Sequence, residues 1–132
     1  MLNRYAVFPT LPTSNMERAK EFYEDILGFT PFGNSDSYGE GCLYMSGTTG
    51  FLVYPSQYTG TNKATSMSFN VPDEELDGLL DHLRQYVDFD TFETESGEWQ
   101  DGVLSDGETR SVWFKDPDGN IINVNTIPMD KY

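Results

Sequence analysis

Only a handful of side chains in this 132-residue chain could do chemistry unaided. There is one histidine, His82, and one cysteine, Cys42, against 22 aspartates and glutamates. Catalytic zinc, nickel, iron and manganese centres draw on imidazole together with carboxylate, so one imidazole is too few for a histidine-based metal site. His82 lies between Leu80 and Leu83, in a segment whose apolar stripe is Leu76, Leu79, Leu80 and Leu83. Position 82 points off that stripe and is expected to face solvent. Cys42 sits among Leu43, Tyr44 and Met45 with no histidine nearby in sequence, which reads as a buried, inert strand residue rather than a nucleophile. Asp116 and Asp118 could join a carboxylate-only site for a hard cation, yet the turn Asp116-Pro117-Asp118-Gly119 already accounts for both. No nucleophile has a base beside it and no acid–base pair stands out, so the residues lean away from an enzyme.

Charge and composition narrow the partners. Eight Lys plus Arg against 22 Asp plus Glu leave a net charge of −14, which repels phosphate backbones and anionic lipid, so neither nucleic acid nor a membrane is expected. The acids are spread over 17–25, 73–90 and 93–108 without a long run, which suits a solvated surface; the same field would help attract a cationic ligand. A lone cysteine cannot close an internal disulfide and agrees with a reducing compartment. Residues 1–11 carry one basic residue and no apolar run of signal-peptide length, and no stretch approaches the ~20 apolar residues of a membrane span. A cytoplasmic protein is expected. With 37% hydrophobic and 14% aromatic residues, the chain has material for one core, so 1–132 is read as a single domain, alone or as a small homo-oligomer.

The elements that must position these residues repeat. Ser14-Asn15-Met16-Glu17 has the form of a capping box, after which Ala19, Phe22, Tyr23, Ile26 and Leu27 recur at helical spacing until Gly28, predicting a helix over 16–27. Pro72-Asp73-Glu74-Glu75 opens a second helix, about 73–87, with acids where the helix dipole favours them and apolar Leu76, Leu79, Leu80, Leu83 and Val87. A shift of 57 residues lays Ala19, Phe22, Tyr23 and Ile26 on Leu76, Leu79, Leu80 and Leu83, the mark of an internal duplication. Strands are expected over 5–11, 30–33, 41–45 and 51–54 in one half, and over 66–71, 89–93, 110–114 and 121–126 in the other. Each half then reads β-α-β-β-β, module one about 1–60 and module two about 61–132. Residues 94–109, rich in Gly, Ser, Asp and Glu with an isolated Trp99, form either a mobile flap or a loop over a pocket.

The helix Glu17-Arg18-Ala19-Lys20-Glu21-Phe22-Tyr23-Glu24-Asp25-Ile26-Leu27-Gly28-Phe29, followed near the C-terminus by Trp113-Phe114-Lys115-Asp116-Pro117-Asp118-Gly119-Asn120-Ile121-Ile122, resembles the vicinal oxygen chelate superfamily over essentially the whole chain. That superfamily holds glyoxalase I, extradiol dioxygenases, fosfomycin-resistance and bleomycin-resistance proteins. The resemblance implies an α+β fold in which two βαβββ modules form an open, barrel-like mixed sheet with one main helix per module. Both signatures are structural, a helix face and a turn, so they imply the fold and not an activity. In metal-dependent members the ion is held by His, Gln or Glu on the first strand of each half and on the final strands. Those positions fall here on Phe8, Ser66 and Asn123, and the remaining strand, 49–55, has no His, Asp or Glu. No metal and no cofactor is therefore expected.

If Phe8, Ser66 and Asn123 face inward, strand alternation brings Thr10, Ser68, Asn70, Ile121 and Asn125 to the same wall. The opposite faces would carry Val7, Met67, Phe69, Val71, Ile122 and Val124 against the helices. Hydroxyls and amides would then stand beside the aromatic Phe8, Tyr44, Tyr54 and Trp113, as in pockets for organic molecules; alternatively the Ser and Asn side chains fill a tapering interior and satisfy one another. The leading expectation is a protein that binds a small aromatic or cationic molecule without a metal, in the manner of the bleomycin-resistance proteins, with ligand contacts from Phe8, Thr10, Tyr44, Tyr54, Ser66, Ser68, Asn70, Trp113, Asn123 and Asn125. The alternative is a glyoxalase-type lyase or dioxygenase-like enzyme with an atypical divalent metal, and a third reading is an accessory domain acting through a dimer surface. A homodimer is expected from the resemblance, since relatives often share each pocket between two chains.

Overall fold

Asn15 starts the first helix, its extended backbone leading in while its side chain accepts the Arg18 N–H at 3.0 Å. This corrects the capping box expected on Ser14, whose N–H and hydroxyl both go to Asp118 instead, leaving the capping role to the next residue. The computed structural model of the chain describes residues 1–4, 8–33 and 41–128. They fall into two compact units, Met1–Asn62 with Asp116–Asn120, and Lys63–Lys115 with Ile121–Tyr132.

In the first unit, helix α1 (Met16–Lys20) continues as a π-helical segment, Glu21–Ile26. Leu27 N–H bonds the Phe22 carbonyl, five residues back, so the coil is wider than the 3.6-residue period that the apolar pattern indicates. Gly28, at φ +84°, ends it in the left-handed conformation that favours glycine. Strands β1 (Thr10–Thr13), β2 (Cys42–Ser46) and β3 (Thr49–Pro55) form a sheet ordered β1-β3-β2, with β1 parallel and β2 antiparallel to β3. The first strand begins at Thr10, later than expected; Tyr5, Ala6 and Val7 lie outside the described residues. Residues 30–33, expected as a strand, contribute a single bridge between Pro31 and Tyr44. Alternation puts Leu11, Tyr44, Phe51 and Val53 on one face, where they are buried with Ala19, Phe22 and Tyr23. Tyr23, Tyr44 and Phe51 meet at ring centroids 5.4–5.8 Å apart, and each such buried side chain contributes roughly 1.5–3 kcal/mol. Cys42 is buried on β2.

In the second unit, β4 (Thr65–Asn70) leads to α2 (Asp73–Leu83), then β5 (Glu98–Gln100), β6 (Val103–Asp106), β7 (Thr109–Lys115) and β8 (Ile121–Asn125). The sheet runs β4-β8-β7-β6-β5, with β4 parallel to β8 and every other pair antiparallel. The helices α1 and α2 begin 57 residues apart (73 − 16), and in each unit the first strand pairs in parallel with the last. The duplication is thus written in topology as well as in sequence.

Three expectations are corrected here. Helix α2 ends at Leu83 rather than Val87, the chain leaving through a turn after Arg84. Leu76, Leu80 and Leu83 are buried, but Leu79 is 41% exposed, so the packed stripe is narrower than the apolar one. Residues 89–93 are not a strand, and the stretch 94–109 holds the β5–β6 hairpin, closed by Asp101-Gly102 with both residues at positive φ. Among the described residues the chain is α+β with two helices and two mixed sheets, and no helix is long and apolar enough to cross a membrane.

Candidate functional site

The two faces of the five-stranded sheet have different chemistry. Arg110, Val112 and Phe114 alternate onto one face, and Arg110 reaches α2, pairing with Asp73 at 3.0 Å and Asp77 at 2.8 Å. That face carries the buried Val112, Phe114, Ile122 and Val124, so it is the helix side. The hydrogen bonds that Arg110 donates to Asp77 and then Asp73 raise its pKa further, fixing it as a permanent cation.

The other face is polar along β4 and β8 and aromatic beyond. Ser68 lies opposite Asn123, which lies opposite Trp113; Asn70 lies opposite Asn125, which lies opposite Ser111. The amides form a ladder: Asn70 Nδ2 donates to Asn125 Oδ1 at 3.0 Å, Asn125 Nδ2 to Asn123 Oδ1 at 2.7 Å, and Asn123 Nδ2 to the Val112 carbonyl at 3.0 Å. Asn123 and Asn125 are each 5% exposed, so these bonds replace water that the amides would otherwise require. Ser66 is half-buried at a register shift between Thr65 and Met67.

The hairpin that sequence reasoning missed brings Trp99 to this same face, opposite Leu104, which faces Ser111. Trp99 and Trp113 lie 5.9 Å apart, and Phe92 stands edge-on to both, 5.3 Å from Trp99 and 4.8 Å from Trp113. Trp99 Nε1–H donates to the Phe92 carbonyl at 3.1 Å, which pins the ring orientation. Phe92 is 48% exposed. Aromatic groups meeting edge to face leave ring faces for a planar or cationic guest. The signal for Trp99 was the Asp101-Gly102 pair flanked by Trp99 and by Val103 and Leu104; Phe92 had none, because only the folded hairpin brings it there.

In the first unit, Phe8, Thr10 and Tyr54 are exposed, and Thr10 and Tyr54 lie on the sheet face turned away from Leu11 and Val53. Tyr44 alternates to the core face instead, so it does not share a wall with them. Its hydroxyl donates to Glu24 Oε2 at 2.8 Å, and burial, then its contacts with Cys42 and Glu24, push its pKa well above the ordinary tyrosine range. The turn residues Asp116–Asn120 are equally committed to structure. Asp118 accepts from Thr13 Oγ1, Ser14 N, Ser14 Oγ and Arg18 Nη2, while Asp116 accepts from the Asp118 and Asn120 N–H groups, Asn120 Nδ2 and the Tyr23 hydroxyl. Burial works to raise the Asp118 pKa, but these donors and the Arg18 charge outweigh it and hold the carboxyl below its ordinary value. Burial, followed by the Asp116 charge, drives Tyr23 strongly upward.

The positions to which the resemblance assigns metal ligands do not fit a divalent ion. Phe8 has no donor atom, Asn123 has both ends of its amide engaged, and β3 contains no His, Asp or Glu. Among the described residues, no three His, Cys, Asp or Glu side chains gather where they could hold a metal. His82 is exposed on α2, its ring 5.3 Å from Tyr86.

Two strand–helix–sheet units, each closed by parallel pairing of first and last strands, define the class of α+β protein to which this chain is assigned. The family model of the Glyoxalase/Bleomycin resistance protein/Dioxygenase superfamily matches residues 2–124, and the chain belongs to that superfamily. Solved structures with the same fold include an integron cassette protein from the mobile metagenome of the Halifax Harbour sewage outfall, 20% identical over 94% of this chain and 99% of that one, with a TM-score of 0.66. The fosfomycin resistance protein FosX from Mesorhizobium loti is 13% identical over 96% and 95% of the two chains, with a TM-score of 0.67. FosX from Listeria monocytogenes, in a complex with Mn(II) and sulfate, is 13% identical over 96% and 93%, with a TM-score of 0.71. No curated protein matches the chain.

Proposed function

We propose that this protein binds a small aromatic or cationic organic molecule on the second sheet, without a metal ion. The observation that carries the reading is the cluster Phe92, Trp99 and Trp113 beside the amide ladder of Asn70, Asn125 and Asn123. The rings supply stacking and cation–π attraction, roughly 0.5–2 kcal/mol per contact, and Ser68 with the ladder supplies direction. A net charge of −14 favours a cationic guest over an anionic one. Of the ten expected contacts, Ser66, Ser68, Asn70, Trp113, Asn123 and Asn125 form the proposed site on the second sheet; Phe8, Thr10 and Tyr54 belong to the first unit, where Tyr44 is a core residue. The protein is proposed to act in the cytoplasm as a homodimer.

Both tryptophans of the chain lie in this cluster, so their fluorescence reads the site directly. Titration with a panel of planar aromatic cations is expected to quench it saturably and to raise the melting temperature, equally before and after chelator treatment. Stoichiometric divalent metal in the purified protein, with a melting temperature that falls on chelation, would overturn the reading in favour of a glyoxalase-type or dioxygenase-like enzyme. Absence of saturable quenching across the panel would overturn the ligand class.

A further inference from the structure

The helix side of the second sheet carries a second opening, unrelated to the aromatic face. A cleft of about 420 Å³ lies between one stripe of α2, Asp77 through Arg84, and the β5–β6–β7 end of the sheet, floored by Leu80 and Val103. Its charges are of both signs. Those of Arg110 and Asp77 are spent on each other. Arg84 is different: among the described residues no carboxylate lies within 4.0 Å of it, in a chain where acids outnumber bases 22 to 8. Its guanidinium rests 4.9 Å over the Phe89 ring, which holds it in place without neutralising it.

Phe89 also seats the opposite rim. Gly102 presses on it so closely that an added Cβ would stand 2.9 Å from the Phe89 Cβ, and this turn carries Asp101 into the cleft lining. One ring therefore positions a cation on the helix and a carboxylate on the hairpin, with Asp81 adding a second carboxylate one helical turn before Arg84. Neither Asp81 nor Asp101 has a cation within 4.0 Å among the described residues. A cleft with unneutralised charges of opposite sign on its exposed rims and an apolar floor complements a guest carrying both charges on a short aliphatic spacer. We propose that this cleft binds a small zwitterion, an amino acid in the broad sense, with its carboxylate on Arg84 and its ammonium on Asp101 and Asp81. A plain anion would meet the acids, and a plain cation would leave Arg84 unanswered.

The test is an amide NMR titration with the ω-amino acids glycine, β-alanine, 4-aminobutyrate and 6-aminohexanoate, against acetate and propylammonium as half molecules. At least one ω-amino acid is expected to shift the amides of 81–84 and 100–103 saturably, at least about tenfold more tightly than either half, while the indole signals of Trp99 and Trp113 stay put. Arg84→Gln and Asp101→Asn, the latter keeping a residue suited to its turn, are each expected to abolish the effect with the spectrum otherwise folded. Absence of saturable shifts in this cleft, equal binding of a half molecule, or unchanged binding by both variants would overturn the proposal.

Discussion

Arg18 Nη2 lies 2.8 Å from Asp118 Oδ1, joining the first helix to a turn 100 residues further along the chain. The Asp118 side chain is 1% exposed and the Arg18 side chain 45%, so the two partners are unequal in what they contribute. The same carboxylate takes Thr13 and both donors of Ser14; removing it leaves the Ser14 N–H and hydroxyl without this acceptor, while Thr13 Oγ1 keeps the Asn15 carbonyl at 3.1 Å.

Asp118→Ala is therefore expected to cost about 3–5 kcal/mol, whereas Arg18→Ala should cost less than about 1 kcal/mol. Urea unfolding of the two variants at neutral pH checks the asymmetry. Equal losses would mean that the ion pair, rather than the hydrogen-bonded carboxylate, holds the turn.

Acid should find the same group. The folded pKa of Asp118 lies below its ordinary value of 3.8, so the unfolded chain takes up that proton first. The stability this carboxylate contributes is complete above that value and is lost as pH falls through the folded one. Asp118→Asn is expected to be the less stable protein at neutral pH and to close part of that gap as the pH drops below about 4. Urea midpoints measured down the acid limb test this.

At the alkaline end the sign reverses. Tyr23 and Tyr44 have folded values well above the ordinary 10.0, so the stability gained by keeping them neutral is present below that value and is lost as pH rises beyond it. Phenolate absorbance followed beside near-ultraviolet circular dichroism should show at least two of the eight tyrosines ionising only as tertiary structure is lost.

On the aromatic face, Trp113→Ala is expected to weaken binding of a quenching aromatic cation about tenfold with little change in fold. Asn125→Leu should cost about 2–3 kcal/mol of stability, because it leaves Asn70 and Asn123 without their shared partner. Fluorescence titration and thermal melts separate the two effects.

Much of this architecture was legible because it is local. Both helix starts, Gly28 as a stop, the burial of Cys42 and the tight turn at Asp116–Asn120 follow from spacing and residue type. What escaped depended on distant partners. Ser14 looks like a cap until Asp118, 104 residues away, claims its donors. The widened helix at Glu21–Ile26 leaves no mark in a 3.6-residue pattern. Trp99 stands isolated in the sequence, where the Asp101-Gly102 pair is the one local sign of its hairpin, and Phe92 gains its meaning only from that hairpin. The family was readable in its helix and turn signatures, since those residues build the fold; the ligand was not, since no residue type or spacing names it.

The placement of Cys42 has a practical side. The single thiol is shut inside the first unit and both indoles belong to the second, so each half carries its own built-in reporter. A thiol reagent registers how often the first half breathes open, while tryptophan emission follows the second. Whether a duplicated chain melts as one object or as two can be timed on the native protein, with no label added.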